Sequence, residues 1–221
     1  MSKLDPDAFV TLLHEYGINN PEIHPSMALC LGSCEITVAE MVSAYTAFVN
    51  HGIRAATMFV TKIEDNEGNV VAQFQPRMNE VISEESANKM LYMLKAVVDG
   101  GTATRLRYKY NLKGEIAGKT GTTNNNSDAW FMGITPALVS GCWVGGDDRD
   151  IHFDNMQYGQ GAAMALPIFA YYMKKVYADK ELGYSENATF DLDEGYNPCE
   201  FSENAFGEGD DGVNDIEEVY E

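Results

Sequence analysis

Ala117-Gly118-Lys119-Thr120-Gly121-Thr122-Thr123-Asn124-Asn125-Asn126-Ser127-Asp128-Ala129-Trp130-Phe131 is the stretch on which the reading of this chain turns. Two β-favouring runs meet at a cluster of turn formers, Asn124 to Ser127. A third run follows after Pro136. The spacing predicts strands over about 114–123, 128–135 and 138–145. Connections this short join only antiparallel neighbours. The middle run, Ala129 to Ile134, is apolar on both faces, which predicts an interior strand of a covered sheet.

Helical signals surround these strands. Asp5-Pro6 reads as an N-cap with proline at the first helical position, and Gly17 ends that helix. Thr37-Val38-Ala39-Glu40 is a capping-box pattern. Val38, Met41, Val42, Tyr45, Phe48 and Val49 then repeat on one helical face. Ser83 caps a helix with core face Ala87, Met90, Leu91, Leu94, Val97 and Val98, which Gly100-Gly101 stops. Pro167 opens a last helix with Ala165, Ile168, Phe169, Tyr172 and Val176 on one side. A hairpin is expected around Asp65-Asn66-Glu67-Gly68-Asn69, flanked by 57–63 and 70–74. The fold class expected is α+β, an antiparallel sheet flanked by helices.

Gly118-Lys119-Thr120-Gly121-Thr122-Thr123 carries the chemistry. A phosphate-binding loop needs glycine five residues before Gly118, and Lys113 stands there; Gly114 comes one residue too late. A loop of fixed backbone length does not tolerate that deletion. The other reading is a substrate strand for a ligand ending in a carboxylate. Thr120 and Thr122 supply hydroxyl donors, Lys119 a cation, and Gly121 a backbone without Cβ that a ligand can approach closely. A backbone N–H just after Gly121 suits a developing oxyanion.

Composition narrows the function. The 221 residues carry 15 Lys plus Arg against 34 Asp plus Glu, net charge −19, which argues against a nucleic-acid partner. The acid is concentrated late: twelve acidic residues lie from Asp191 onward, and no Lys or Arg follows Lys180. The division expected is a folded body over 1–180 and an acidic, mostly disordered tail over 181–221. Within that tail Tyr184, Phe190, Tyr196, Phe201, Phe206 and Tyr220 are candidates for docking contacts. The four cysteines, Cys30, Cys34, Cys142 and Cys199, form no CxxC pair. A Cys30–Cys34 bridge is conceivable in an oxidising compartment, with free thiols the favoured reading. The four histidines are scattered, so no metal site is expected.

From about Pro25 to Val176 the chain resembles the transpeptidase domain of class A penicillin-binding proteins, the bifunctional peptidoglycan synthases. The likeness rests on several segments in order. They are Pro25 to Leu29, Glu35 to Met41 with Ala44-Tyr45, Asn50-His51-Gly52, Met90 to Leu94, Gly101-Thr102, Ala117 to Thr123, Asp128 to Phe131 and Trp143 to Gly145. The resemblance implies a β-lactamase/transpeptidase-like fold with a five-stranded sheet. It implies acyl transfer from peptidyl-D-Ala-D-Ala, peptidoglycan stem peptides as partners, and binding of β-lactams, with no cofactor. Lys119 would be the catalytic residue of the Lys-Thr-Gly motif, and Thr120, Gly121 and Thr122 would bind substrate.

The family's Ser-x-x-Lys and Ser-x-Asn motifs cannot be placed in this chain, so it supplies no nucleophile. The resemblance implies the C-terminal part of the domain, with Met1 an internal methionine. The missing N-terminal half of the same protein would then be a partner, and other cell-wall synthesis proteins are conceivable ones. The full-length protein would sit at the periplasmic face of the membrane, carrying the glycosyltransferase domain and the anchor. This chain alone would be inactive. A non-catalytic scaffold relative and a serine β-lactamase are the alternatives. Ser86-Ala87-Asn88-Lys89 spells Ser-x-x-Lys, but it falls on a helix whose adjacent face is apolar and reads as an amphipathic surface. Asp128 is expected either to brace the strand turn or to make a plain Asx turn. Trp130 and Trp143 are expected in the core, and Asp147-Asp148-Arg149-Asp150 in a solvated loop.

Overall fold

A computed structural model describes residues 5–192. Its centre is a three-stranded antiparallel sheet in the order β5 (Ala117–Thr122), β6 (Asp128–Thr135), β7 (Leu138–Gly145). The first strand is shorter than expected because residues 112–114 are held elsewhere. Arg107 donates to the carbonyls of Leu112 and Gly114, and the Lys113 N–H donates to Glu186. Strand β6 is the middle strand, with Phe131 to Thr135 all buried, as its two apolar faces require.

Helices cover both faces. Register pairs Ala117 with Ile134, and this pair shares a cluster with Leu91 and Leu94 of α3 (Glu84–Asp99) and with Tyr45 and Phe48 of α2 (Val38–Val49). Thr120 pairs with Phe131 on the opposite face, where Phe131 packs at 5.0 Å between ring centroids against Phe169 of α6 (Ala165–Ala178), the helix that follows the short α5 (Met156–Gly159). Leu106 of α4 (Arg105–Tyr108) and Ile116 complete that core. The α+β class and the flanking helices are therefore as expected. The described residues supply three of the five strands that the resemblance implies for the central sheet.

Local chemistry sets the helix ends. Asp5 accepts from the Asp7 N–H at the start of α1 (Pro6–Glu15). Thr37 and Glu40 make both bonds of the capping box on α2. Burial would raise the Glu40 pKa, but the Thr37 backbone and side-chain hydrogen bonds win and hold it low. On α2 the residues buried deepest are the small ones, Ser43, Ala44 and Ala47, and the larger apolar side chains beside them are half-covered.

The last helix corrects the expected face. Leu166, Phe169, Ala170, Met173 and Val176 face the core, while Ile168 and Tyr172 are exposed. The helix is apolar on more than one side, so spacing alone leaves its phase open.

The hairpin around Gly68 forms from β2 (Lys62–Glu64) and β3 (Val70–Gln73), with Asp65 accepting from the Glu67 and Asn69 N–H groups. A second ladder, β1 (Ile53–Ala55) with β4 (Met78–Glu80), links its base to α2 and was not anticipated. Residues 181–192, expected in the disordered tail, lie against the body. Phe190 is buried, and its N–H donates to Glu115, which Lys95 also binds at 2.6 Å. The expectation for 193–221, Cys199 included, falls outside the described residues. No helix among the described residues is long and apolar enough to cross a membrane.

Candidate active site

Among the described residues strand β5 pairs only with β6, which leaves one backbone edge of the sheet without a partner strand along Lys119-Thr120-Gly121-Thr122. Alternation places Lys119 and Gly121 toward the α2 and α3 side, and Thr120 and Thr122 toward the α6 side. A ligand laid along that edge meets the ammonium from one side and the hydroxyls from the other. Lys119 and Thr122 are exposed, and Thr120 and Gly121 are half-buried. Lys119 Nζ donates to the Thr120 carbonyl at 2.7 Å, which leaves the other ammonium protons available.

Two elements outside the strand reach its hydroxyls. Thr102, in the turn after α3, lies 2.7 Å from Thr120, oxygen to oxygen. The Gly161 N–H donates to Thr122 Oγ1 at 3.0 Å. Gly161 passes so close that a Cβ there would stand 2.5 Å from the Gly121 carbonyl oxygen and 2.4 Å from that of Trp130. Arg105 holds the same segment through its donation to the Ala162 carbonyl. Thr102 and Gly161 were not singled out as site residues from sequence. Only the fold brings them to positions 120 and 122, although Gly101-Thr102 already stood among the segments of likeness.

The hairpin end of the strand is rigidly bonded. Thr123 Oγ1 accepts from the N–H groups of Ser127 and Asp128, and Ser127 donates to Asp128 or Asn125. Asp128 also accepts from Trp143 Nε1 at 2.9 Å, so it braces the turn to β7 rather than serving only an Asx turn. Trp143 departs from the expected core position. It is 38% exposed, near the end of a strand that pairs on one side alone among the described residues.

The remaining sequence candidates fall out on geometry. Residues 118–122 are extended strand, not a loop leading into a helix, so no phosphate nest forms. Ser86 is an exposed residue bonded to Ser83, and Lys89 is paired with Glu85. Cys30, Cys34 and Cys142 are free thiols, and burial pushes those of Cys34 and Cys142 up, which keeps them protonated. No cluster of metal-binding side chains occurs among the described residues. A small cavity, about 160 Å³, lies between Phe48, Leu91, Pro136 and Phe190, beyond the end of β6 away from Thr122.

Residues 15–144 match the penicillin binding protein transpeptidase domain. The chain belongs to that family. It is 38% identical over 160 residues to penicillin-binding protein 1A of Aquifex aeolicus, covering 72% of this chain and 21% of the relative. It is 32% identical over 188 residues to penicillin-binding protein 1B of Vibrio cholerae, covering 85% and 23%. It thus spans under a quarter of the length of these curated relatives, which are class A penicillin-binding proteins. Among solved structures, penicillin-binding protein 1A of Haemophilus influenzae superposes with a TM-score of 0.71 at 27% identity, over 84% of this chain and 32% of that one. PonA1 of Mycobacterium tuberculosis, at 24% identity and TM-score 0.65, covering 84% of this chain and 52% of that one, shares the fold.

Proposed function

We propose that this chain forms the carboxylate-binding side of a serine D,D-transpeptidase site. The observation that carries the reading is the edge of β5 without a partner strand among the described residues, with Lys119, Thr120 and Thr122 flanking a glycine. A peptide ending in D-Ala-D-Ala lies antiparallel along that edge as an added strand. Thr120 and Thr122 donate to its terminal carboxylate, and Lys119 supports the proton network of the attacking group.

The nucleophile comes from outside these 221 residues. Its serine oxygen attacks the penultimate D-Ala carbonyl, D-alanine leaves carrying a proton, and an amine of a neighbouring stem then displaces the serine. Peptidoglycan is cross-linked and the enzyme is regenerated. β-Lactams acylate the same serine. The partner of this chain is therefore the N-terminal half of its own domain. The site works at the periplasmic face of the membrane, where the stem peptides are.

The test uses a fluorescent penicillin. The chain alone gives no covalently labelled band. Fused behind the preceding part of the Aquifex relative, it gives one that Lys119→Ala abolishes. A labelled band from the chain alone overturns the reading and points to Ser86.

A further inference from the structure

We propose that Thr102 is a positioning residue, which orients the Thr120 hydroxyl toward the substrate carboxylate. This inference rests on the transpeptidase reading and adds a residue outside the Lys-Thr-Gly strand.

A hydroxyl has one proton to donate and two lone pairs to accept with. The Gly161 N–H fills an acceptor position on Thr122, so nothing in that bond uses the Thr122 proton. The 2.7 Å contact between Thr102 and Thr120 works differently. One hydroxyl must donate to the other, and exactly one proton of the pair is left over. In the empty site either arrangement serves. When a carboxylate arrives at the β5 edge, Thr120 gains by donating to the anion, and Thr102 supplies the compensating donation to Thr120. The relay runs Thr102 to Thr120 to carboxylate, and a hydroxyl that itself accepts is the better donor.

The fold holds Thr102 where this demands. The turn is bonded to the end of α3, with the Ala103 N–H and the Gly101 N–H both donating to the Val97 carbonyl. Ala103 is fully buried in the core beneath. Gly101 lies so tightly on α3 that a Cβ would stand 2.9 Å from the Val97 backbone. The turn therefore has little freedom to swing, and Thr102 itself remains exposed to the ligand side.

The experiment uses the full chain and Nα,Nε-diacetyl-L-lysyl-D-alanyl-D-alanine, followed by saturation-transfer NMR from the ligand side. A second ligand carries a C-terminal carboxamide in place of the carboxylate. Wild type favours the carboxylate ligand. Thr102→Val, which keeps the shape and removes the hydroxyl, weakens carboxylate binding about fivefold or more and leaves carboxamide binding nearly unchanged. Thr102→Ser restores the preference. Equal loss for both ligands, or no loss, overturns the role of Thr102 while the transpeptidase reading stands. A wild-type chain that does not distinguish the two ligands overturns both.

Discussion

Phe131 and Phe169 meet at 5.0 Å in a core closed to solvent, while Phe59, before the β2–β3 hairpin, is 87% exposed. Both regions carry large apolar side chains, and the fates of those side chains are opposite. Behind the Lys119 strand, α3, α4 and α6 bury Leu106, Ile116, Leu166 and Met173 almost completely. Around the hairpin, Val60, Ile63, Val70, Val71 and Phe74 all stay exposed. Among the described residues the β2–β3 hairpin packs chiefly on itself, so its side chains are only partly covered. The difference teaches that the edge presenting Lys119 is built on a closely packed core, and that the hairpin adds little to that core.

The comparison breaks most directly at Phe169. Phe169→Ala should cost about 3–5 kcal/mol in a denaturant melt, because it empties a packed site. A loss below 1 kcal/mol would show that the core is looser than its burial implies. Gly161→Ala comes next. Its Cβ has no room beside the Gly121 and Trp130 carbonyls, so an overpacking cost of about 1–3 kcal/mol is expected. The same change should shift the Thr122 backbone amide in an NMR spectrum, since the bond to Thr122 Oγ1 opens.

Glu115 sharpens the edge of the comparison. Burial alone would raise its pKa from 4.5, but the Lys95 ammonium and the Phe190 N–H outweigh that and hold it low. A depressed carboxyl stabilises the fold above its unfolded pKa and loses that contribution as pH falls through the folded value. Glu115→Gln should therefore cost about 1–2 kcal/mol at neutral pH, and the gap to wild type should close in acid. A gap that persists at low pH would mean the ion pair is not its source. The smallest effect is expected at Phe59. Phe59→Ser should change stability by no more than about 0.5 kcal/mol, and light scattering should show less self-association. A loss comparable to that of Phe169→Ala would erase the distinction between the regions.

Much of this was legible from residue order. The strands 128–135 and 138–145 match their expected bounds, because turn formers and Pro136 punctuate apolar runs at fixed places. The caps at Asp5, Thr37 and Ser83 were readable because capping depends on neighbours within three residues. The β1–β4 ladder was not readable, since its short strands pair across an intervening hairpin. Trp143 was misread for a related reason. An aromatic side chain in a strand says nothing of which face receives a covering helix.

The sequence by itself determined the family, the strand carrying Lys119, Thr120, Gly121 and Thr122, and the long helices around it, because each depends on local pattern. Only the tertiary structure decided that Thr102 meets Thr120, that Gly161 meets Thr122, and that Phe190 returns to Glu115. Those contacts join residues 18, 39 and 75 positions apart, and a separation of that size is closed by the packing of the whole core, which no short window of sequence contains.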